Sequence, residues 1–475
     1  MKSTPYDVAV IGAGVVGAAI ARELAHYRLR CILLEAAGDV GTGTSKANTA
    51  ILHTGFDATP GTLEARLVRR GHALLLAHAP SAGIPIEPIG ALLVAWDAEQ
   101  LAALPGIAER AAQNGYAAAQ SISAGELYRR EPHLGAGALG ALSIPDEGLI
   151  CPFTPPLSFA TDAVVNGVEL ALDSPVDATR RVDIEDERVH LLQTPRQQVH
   201  ARFVVNAAGV YADVVDRLFG HASFTVTPRR GELIVFDKLA RSLLRHIVLP
   251  VPTRLSKGVL VSPTVFGNVV LGPTAEDVAD KHATASTAAG LAGLCEKARG
   301  ILPALLDEEV TAVYVGLRAA TEHTDYQIII HPAQRYVCVG GIRSTGLTAS
   351  MAIAEYVVDA LRDAGLRLDP TGEFRGVRMP NIGEVSQRPY QCADLIAAQP
   401  DYGRIVCHCE RVTAGEMLAA MRAPLPARSL DGLRRRTRAL LGRCQGFYCS
   451  ASVARLLADA SGQSIESILG ADETR

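Results

Sequence analysis

Hydrophobic positions form their clearest pattern at the start of the chain. Val8–Ile11 is a continuous apolar run of strand length, and Ala18–Leu24 is a stretch that suits a helix. Between them lies the glycine-rich hexapeptide Gly12–Gly17, GAGVVG. A second run, Arg30–Leu34, has strand length and ends at Glu35. The pattern predicts a strand, a glycine turn, a helix and a second strand.

This arrangement is typical of a dinucleotide-binding site. Gly12 permits a tight turn, Gly14 lets the backbone approach a pyrophosphate, and Gly17 lets the helix pack on the strand. The phosphates then face the unpaired N–H groups at the start of the helix. Glu35 is placed to accept hydrogen bonds from the ribose hydroxyls of an adenosine. The neighbouring residues predicted to share this site are Ala13, Val15, Val16 and Ala36.

Beyond residue 80 the pattern changes. Ile89–Trp96 is predicted to be a strand and Ala98–Asn114 a helix, so the chain leaves the first sheet. Residues 202–209 resemble a second inner strand of that sheet. Between Phe224 and Tyr314, short apolar runs separated by proline and glycine predict a mostly antiparallel sheet folded over the first domain. A strand, a glycine turn and a helix return over residues 337–361.

Composition narrows the function classes. A chain of 475 residues is long enough for about three domains. A net charge of −4, with 48% hydrophobic and 20% charged residues, describes a globular protein, neither disordered nor built to bind nucleic acid. The longest apolar run, Val8–Ala21, is too short and too rich in glycine to span a bilayer, and it does not resemble a signal peptide. We therefore expect a cytoplasmic protein.

The cysteines point to a metal centre near the C-terminus. The chain has nine cysteines, an odd number that argues against a disulfide framework. A C-x-C pair and a C-x4-C pair supply four thiolates from two loops, which is enough for one 2Fe–2S cluster. Four thiolates also suit structural zinc, which stays the alternative although zinc loops usually carry C-x2-C. The predicted ligands are Cys407, Cys409, Cys444 and Cys449.

Several spaced motifs carry a family resemblance. Residues 6–362 resemble the flavoproteins of the D-amino-acid-oxidase type, and within them the FAD-dependent glycerol-3-phosphate dehydrogenases and oxidases. Besides the glycine turn, the motifs are GTSKANTAILHTGFD (43–57), VVNAAGVYAD (204–213), PTRLSKGVLVSPT (252–264), VGLRAA (315–320) and GGIRSTGLTAS (340–350). The resemblance implies one FAD, which would also be contacted by Thr44, Ser45, Asn48, Val176, Ala208, Gly209, Gly341, Gly346, Leu347 and Thr348.

The C-terminal region resembles the ferredoxin-like domain of bacterioferritin-associated ferredoxin, in the form fused behind anaerobic glycerol-3-phosphate dehydrogenases. The matching segments are VCHCERVTAGEM (406–417) and LDGLRRRTRALLGRCQGFYC (430–449). The resemblance implies a 2Fe–2S cluster on the four cysteines. The arginines at 434, 435, 436 and 438 are interpreted as a solvated helix face, with attraction of an acidic carrier as the alternative.

The resemblance implies the fold class and the domain boundaries. We expect an α/β FAD-binding domain of the glutathione-reductase Rossmann type, an interleaved α+β substrate domain, and a small helical C-terminal 2Fe–2S domain. The oxidoreductase would occupy residues 1–368, followed by a linker at 369–400 and the 2Fe–2S domain at 401–475. Within it, the FAD-binding parts are about 1–80, 145–222 and 328–368, and the substrate-domain parts about 81–144 and 223–327.

Oxidation of a secondary alcohol needs a base for the hydroxyl proton while hydride leaves carbon for the flavin. His53 matches the family's candidate base, although a histidine between apolar neighbours can also be structural. Arg318 matches the anion-binding arginine, whose guanidinium can hold phosphate or carboxylate with two parallel hydrogen bonds. Lys257 would be a second positive charge, or else a surface lysine. Arg343 departs from the family pattern. If its side chain points inward, the pocket contains three cations and would prefer a doubly charged hydroxy acid to glycerol 3-phosphate.

The expected function is an FAD-dependent dehydrogenase of a small anionic secondary alcohol, similar to glycerol 3-phosphate. Because a 2Fe–2S cluster accepts one electron at a time, its electrons would pass to a carrier, a quinone or a partner subunit, and membrane association through a partner is left open. The alternatives are a 2-hydroxy-acid dehydrogenase such as one for L-2-hydroxyglutarate, an amine or imino-acid dehydrogenase, and an electron-relay subunit without a substrate site.

Overall fold

A computed structural model of the chain describes residues 4–185, 187–252 and 258–470. Its helices and strands are numbered in chain order. The α-helices of the described residues are α1 (Val15–Leu24), α2 (Leu63–Ala82), α3 (Ala98–Gln113), α4 (Ala124–Arg130), α5 (Thr154–Val165), α6 (Ala212–Leu218), α7 (Ala288–Ile301), α8 (Gly346–Asp363), α9 (Ala393–Ala398), α10 (Ala414–Arg422), α11 (Leu430–Thr437), α12 (Ser450–Ser461) and α13 (Ile465–Gly470).

The first sheet has a parallel centre with antiparallel additions. Its eight strands are β1 (Tyr6–Ile11), β2 (Cys31–Leu34), β9 (Glu169–Ala171), β10 (Ala178–Ile184), β11 (Glu187–Gln193), β12 (Gln198–Asn206), β19 (Gln327–His331) and β20 (Tyr336–Gly340). β9, β2, β1, β12 and β20 run parallel, while β10, β11 and β19 pair antiparallel at the margins. The sequence motif therefore opens a parallel sheet, as predicted.

Both faces of this sheet are covered, which explains why its strands are continuously apolar. Val8 and Val10 point into a core shared with helices α1, α5 and α8. Ala9 and Ile11 point into a second core, which α6 and the side chain of Phe219 complete. The inner strand β1 consequently contains no polar residue after Asp7.

The second sheet has nine strands and confirms the predicted antiparallel region. They are β5 (Ala91–Ala95), β6 (Gln120–Ser123), β7 (Gly140–Ile144), β13 (Thr227–Phe236), β14 (Ile247–Pro250), β15 (Leu260–Pro263), β16 (Val269–Gly272), β17 (Glu276–Asp277) and β18 (Val310–Ala320). Within the described part of this second sheet, only the β5–β14 pair is parallel. A small three-stranded sheet contains β3 (Ile51–Leu52), β8 (Gly148–Ile150) and β4 (Ile86–Glu87).

The C-terminal region is a small helical unit with its own core. The hairpin β21 (Ile405–Cys407) and β22 (Val412–Thr413) precedes helices α10–α13, which share a hydrophobic cluster. Helix α11 ends at Thr437, with Arg438 in the left-handed conformation at φ 70°.

The interpretation of the basic run as a solvated helix face is wrong. Arg435, Arg436 and Arg438 are 3%, 7% and 1% exposed. Their guanidinium groups meet carboxylates that lie outside α11, so the charges are neutralised inside the protein. These partners are far away in sequence, and the helix alone could not indicate them.

The proline-rich segment 369–400 follows the surface of the main body before it reaches the C-terminal unit. Backbone N–H groups of this segment donate to His26 O, Ala82 O and Val265 O at 2.8–2.9 Å. Its only described α-helix is the short α9. Among all described helices, none is both long and apolar enough to cross a bilayer.

Candidate functional site

The glycine turn between β1 and α1 is built on close backbone approaches. Gly12 has φ +100°, and a Cβ there would lie 2.6 Å from Ala207 O. A Cβ at Gly17 would lie 1.8 Å from Gly12 O. The N-cap residue Gly14 supplies no side-chain hydrogen bond to the helix. The N-cap residue therefore covers none of the N–H groups at the start of the helix with a side chain of its own, and such a helix N-terminus is where a pyrophosphate binds.

Glu35 is held beside this turn. Its Oε2 accepts the N–H of Ala13 at 2.6 Å, and its Oε1 accepts the N–H of Ala37 at 2.9 Å. Burial raises the pKa of its carboxyl group. The main-chain N–H of Ser174 donates to Glu35 O at 2.8 Å, so the loop that carries Val176 lies next to it. The residues predicted for the adenosine end of the cofactor are thus neighbours.

The small-residue loop after β2 joins the two sheets. The Ser45 hydroxyl accepts the N–H of Val15 at 2.9 Å, which ties the loop to the glycine turn. The Thr44 hydroxyl donates to Leu317 O at 2.7 Å, which ties it to β18 of the second sheet. Asn48 donates to Ser45 O at 2.8 Å and stabilises the loop from within. The loop itself supplies the hydroxyl and amide groups that were expected to contact a flavin.

The remaining predicted cofactor residues follow parallel strands. Ala208 and Gly209 come directly after β12, and Gly341 follows β20 with φ +64°. Helix α8 begins at Gly346, and its N-cap residue also provides no side-chain hydrogen bond. Leu347 and Thr348 occupy its first turn. The carboxyl ends of β1, β12 and β20 therefore meet two helix N-termini whose own N-cap residues supply no side-chain hydrogen bond, which fits the phosphates and polar ring edges of FAD.

His53 lies against this assembly and has a carboxylate partner that the sequence analysis missed. The main-chain N–H of His53 donates to the Thr348 hydroxyl at 3.0 Å. Its Nδ1 lies 3.2 Å from Oε2 of Glu147, a residue that is 0% exposed. The other oxygen of Glu147 accepts the N–H and the hydroxyl of Thr54 at 2.6 and 2.9 Å. A buried carboxylate with these donors holds the histidine ring in place.

Strand pairing brings these two side chains together. β3 and β8 are antiparallel, with Ile51 opposite Leu149 and Leu52 opposite Gly148. The next pair in the same register is His53 with Glu147. Glu147 belongs to the turn-like sequence PDEG, where an acidic residue is usually solvated. Only a long-range contact identifies its role.

The predicted cations have different environments. Arg318 is partly buried, and the hydrogen bonds it donates to described residues are long, at 3.4 and 3.5 Å to Thr274 O. No carboxylate of the described residues lies within ion-pair distance of it. Burial and the charge of Arg229 lower the pKa of Arg318 to about 10. Arg343 instead pairs with Glu64 at 3.1 Å. Lys257 lies outside the described residues.

The four clustered cysteines meet as two pairs. Burial raises the pKa of Cys409 and of Cys449, and each has a cysteine close enough to raise it further, Cys444 beside Cys409 and Cys407 beside Cys449. Backbone N–H groups, with that of Tyr448 first, lower the pKa of Cys444 and favour its thiolate. No group of three or more His, Cys, Asp or Glu side chains in the described ranges is arranged around a single metal ion. Two pairs of thiols suit two irons, each held by two sulfurs.

Comparisons with known proteins agree with this geometry. Residues 7–360 match the family of FAD dependent oxidoreductases, and residues 405–459 match the BFD-like [2Fe-2S] binding domain. The chain belongs to the FAD-dependent oxidoreductase family. It carries FAD in its main body and a 2Fe–2S cluster in its C-terminal domain, as predicted. The predicted fold class is likewise confirmed.

Similar proteins extend over nearly the whole oxidoreductase. A glycerol 3-phosphate dehydrogenase of Caloramator mitchellensis is 36% identical over 461 residues, which cover 96% of this chain and 95% of the relative. One of the subunits of the anaerobic glycerol-3-phosphate dehydrogenase of Escherichia coli (strain K12) is 27% identical over 98% of this chain and 91% of its own. The structure of FAD-bound L-alpha-glycerophosphate oxidase from Mycoplasma pneumoniae superposes with a TM-score of 0.74 at 28% identity, covering 80% of this chain and all of that one.

Replacing Glu147 with Gln tests the histidine–carboxylate pair. The amide oxygen can still accept from Thr54, but the amide nitrogen would donate to Nδ1 of His53 and place the ring proton on Nε2. We expect anaerobic flavin reduction by substrate to slow by about 10²-fold, the contribution of a positioned base. The measurement is stopped-flow absorbance of the FAD-loaded variant.

A matched control is Glu131→Gln. Glu131 follows helix α4 and is 1% exposed. One of its carboxylate oxygens lies 2.6 Å from Nδ1 of His246, which precedes β14 of the second sheet. This variant should reduce its flavin at the wild-type rate. Equal rates in the two variants would remove Glu147 from the site.

Replacing Cys409 with Ser tests the cluster and its independence. One thiolate is lost, so we expect the iron content and the electron paramagnetic resonance signal of the reduced cluster to disappear. Flavin reduction by substrate should remain, because the cysteines are not part of the flavin site. Cys295→Ser, in α7, is the control that should retain the iron. Loss of flavin reduction together with the iron would contradict two separable modules.

Proposed function

We propose that this oxidoreductase oxidises a small anionic secondary alcohol of the glycerol 3-phosphate type and passes the electrons through its 2Fe–2S cluster to an external carrier. The functional division is that of the sequence analysis, with the oxidoreductase in residues 1–368, a connecting segment at 369–400 and the cluster domain at 401–475. The proposed cofactor and catalytic residues are those located above, together with Lys257.

Arg318 is the observation that carries this proposal. Its guanidinium group lies against Gly231, where a Cβ would approach Nη2 to 2.9 Å, so the glycine makes room for it. It is partly buried without an acidic partner among the described residues, and a charge in that position is costly unless a ligand neutralises it. In β18, Arg318 follows Leu317, whose carbonyl oxygen accepts the Thr44 hydroxyl of the small-residue loop after β2. A substrate anion held here would lie beside the flavin site.

The base is His53. Glu147 keeps the proton on Nδ1, so Nε2 is the nitrogen that takes the hydroxyl proton of the substrate. FAD supplies the hydride acceptor for the hydrogen on the same carbon. After the transfer, the positive imidazole is stabilised by the negative charge of Glu147. Thr54 holds that carboxylate through two hydrogen bonds, so the pair is fixed before substrate arrives.

The environment of Arg343 supports a phosphate monoester of a small polyol over a dicarboxylate. Glu64 neutralises its charge and also accepts the hydroxyl of Thr345 at 2.7 Å. A third cation that would favour a doubly charged hydroxy acid is therefore compensated. The relatives named as acting on glycerol 3-phosphate also match more of this chain than the L-2-hydroxyglutarate dehydrogenase of Homo sapiens, which matches 58%.

The cluster loop lies at the surface, which supports an external electron acceptor. Phe447 and Tyr448, between two of the cysteines, are 83% and 80% exposed. Cys444 itself is only half-buried. A carrier or a partner protein can approach the cluster there without entering the flavin site.

An anaerobic substrate screen tests the proposal directly. The isolated FAD-loaded protein is mixed with glycerol 3-phosphate, L-2-hydroxyglutarate, lactate, glycine and proline, and the flavin absorbance is followed. We expect bleaching by glycerol 3-phosphate and by no amino acid. Bleaching by L-2-hydroxyglutarate alone would assign the 2-hydroxy-acid dehydrogenase, and no bleaching by any compound would favour an electron-relay subunit.

Replacing Arg318 with Ala tests the anion site. The substrate anion would lose its paired charge, and we expect kcat/KM to fall by the equivalent of about 2–5 kcal/mol. Arg229→Ala is the control, since this neighbour has its own carboxylate, Asp277, at 2.6 Å. The measurement is steady-state reduction of an artificial dye. An unchanged kcat/KM in the Arg318 variant would remove this residue from the site.

A further inference from the structure

The loop that follows Glu35 is bound to the 2Fe–2S domain by a buried ionic cluster. Asp39 accepts from Arg436 through both oxygens, at 2.7 and 2.9 Å, and from Arg435 Nη2 at 2.6 Å. The side chains of the two arginines are 4% and 3% exposed, and that of Asp39 is 12% exposed. Although burial acts in the opposite direction, the hydrogen bond and charge of Arg436 and the charge of Arg435 keep the pKa of Asp39 below its usual range.

The same loop forms one side of the flavin cradle, which comprises the glycine turn 12–17 together with the loop between β2 and β3. Gly41 N donates to Ala13 O at 2.9 Å, which ties the loop to the glycine turn. The carbonyl of Val40, one residue after Asp39, accepts from Arg435 Nη1 at 2.6 Å. Further along, Lys46 pairs with Asp431 of α11 at 3.1 Å, next to the Ser45 that bonds Val15. Helix α11 thus rests on the backbone that surrounds the cofactor phosphates.

Helix α11 is followed in the chain by the loop that carries Cys444 and Cys449. Arg438, at its end, contacts Glu410, which follows Cys409, and also pairs with Glu384 at 3.2 Å. Arg443, which precedes Cys444, pairs with Asp237 of the main body at 2.9 Å. A displacement of α11 would therefore move the cluster ligands relative to the flavin domain.

We infer that Asp39 is a positioning residue for electron transfer, because its ion pairs with Arg435 and Arg436 fix the 2Fe–2S domain against the flavin cradle. The inference rests on the proposed function only in that the reduced flavin must be oxidised by the cluster. One electron leaves the two-electron-reduced flavin and converts one ferric iron of the cluster to ferrous. A one-electron acceptor then reoxidises the cluster, and a second transfer completes the oxidation of the flavin with release of its two protons.

The test uses the FAD- and iron-loaded full chain with Asp39→Asn. Among the described residues, the amide leaves Arg436 without a carboxylate partner and leaves Arg435 only its pair with Asp431 at 3.2 Å, so the domain contact loosens. We expect flavin-to-cluster electron transfer, measured after photochemical flavin reduction, to slow at least about tenfold, while FAD content is retained. Photoreduction needs no substrate, so this result is independent of whether the proposed substrate is correct.

A second readout does not involve electron transfer. Hydrogen exchange of the α11 amides should be faster in Asp39→Asn, because the helix separates from the loop more often. Asp39→Glu, which keeps the charge, should bring both the rate of electron transfer and the protection of the α11 amides from exchange back towards wild-type values. If Asp39→Asn does not fold, Arg436→Lys is the alternative variant, because lysine keeps the charge but cannot bond both oxygens of Asp39 in the same way. It should show slower electron transfer and faster exchange of the α11 amides, both in weaker form.

Asp7→Asn is the control within the flavin domain. Asp7 pairs with Arg202 at 2.9 Å in the first sheet, and its loss should leave transfer and α11 exchange unchanged. Wild-type transfer in Asp39→Asn would overturn the inference, whether or not exchange increases, because faster exchange alone means a structural contact without a positioning role. Equal slowing in the Asp7 variant would overturn it as well.

Discussion

The structure depends on the close packing of backbone at the glycine turn. Gly12, Gly17 and the end of β12 approach so closely that a single Cβ would overlap a carbonyl oxygen, at 2.6 Å for Gly12 and 1.8 Å for Gly17. This contact sets the position of α1 relative to β1 and β12. The loop after Glu35 and the loop around Ser45 are then bonded to the same turn. Residues predicted to contact the cofactor, which come from distant parts of the chain, consequently meet at one place.

Buried charges organise the regions that the glycine turn does not reach. Glu147 fixes His53, and Asp39 fixes α11, each with a carboxylate that is largely removed from water. Removing one partner of such a pair costs about 3–5 kcal/mol, whereas an exposed ion pair contributes about 0–1 kcal/mol. The many surface pairs of this protein, such as Arg229 with Asp277, are therefore of less consequence for its geometry. Arg318 differs from both kinds because its balancing charge is expected to come from the substrate.

Local patterns predicted much of this fold, since strand β1, the glycine turn and helix α3 each follow from residues adjacent in sequence. The ends of elements were less predictable, and α11 stops at Thr437 because Arg438 turns into a left-handed conformation to reach Glu410 and Glu384. Side-chain environments were the least predictable. Glu147 was not predicted at all, and the arginines were interpreted as solvated, because their partners lie elsewhere in the chain, as far as 397 positions away for Arg436 and Asp39. Propensity carries no information about such contacts.

The three-stranded sheet of β3, β8 and β4 has an evolutionary consequence. His53 and Glu147 are 94 positions apart, yet their meeting depends only on the local register of two short strands. Length changes in the loops around helices α3 and α4, which lie between them in the chain, would leave the His53–Glu147 pair in place as long as β3 and β8 keep this register. Under the proposed function, residues 81–144 of the proposed substrate domain could diverge in sequence while the proposed base kept its carboxylate partner.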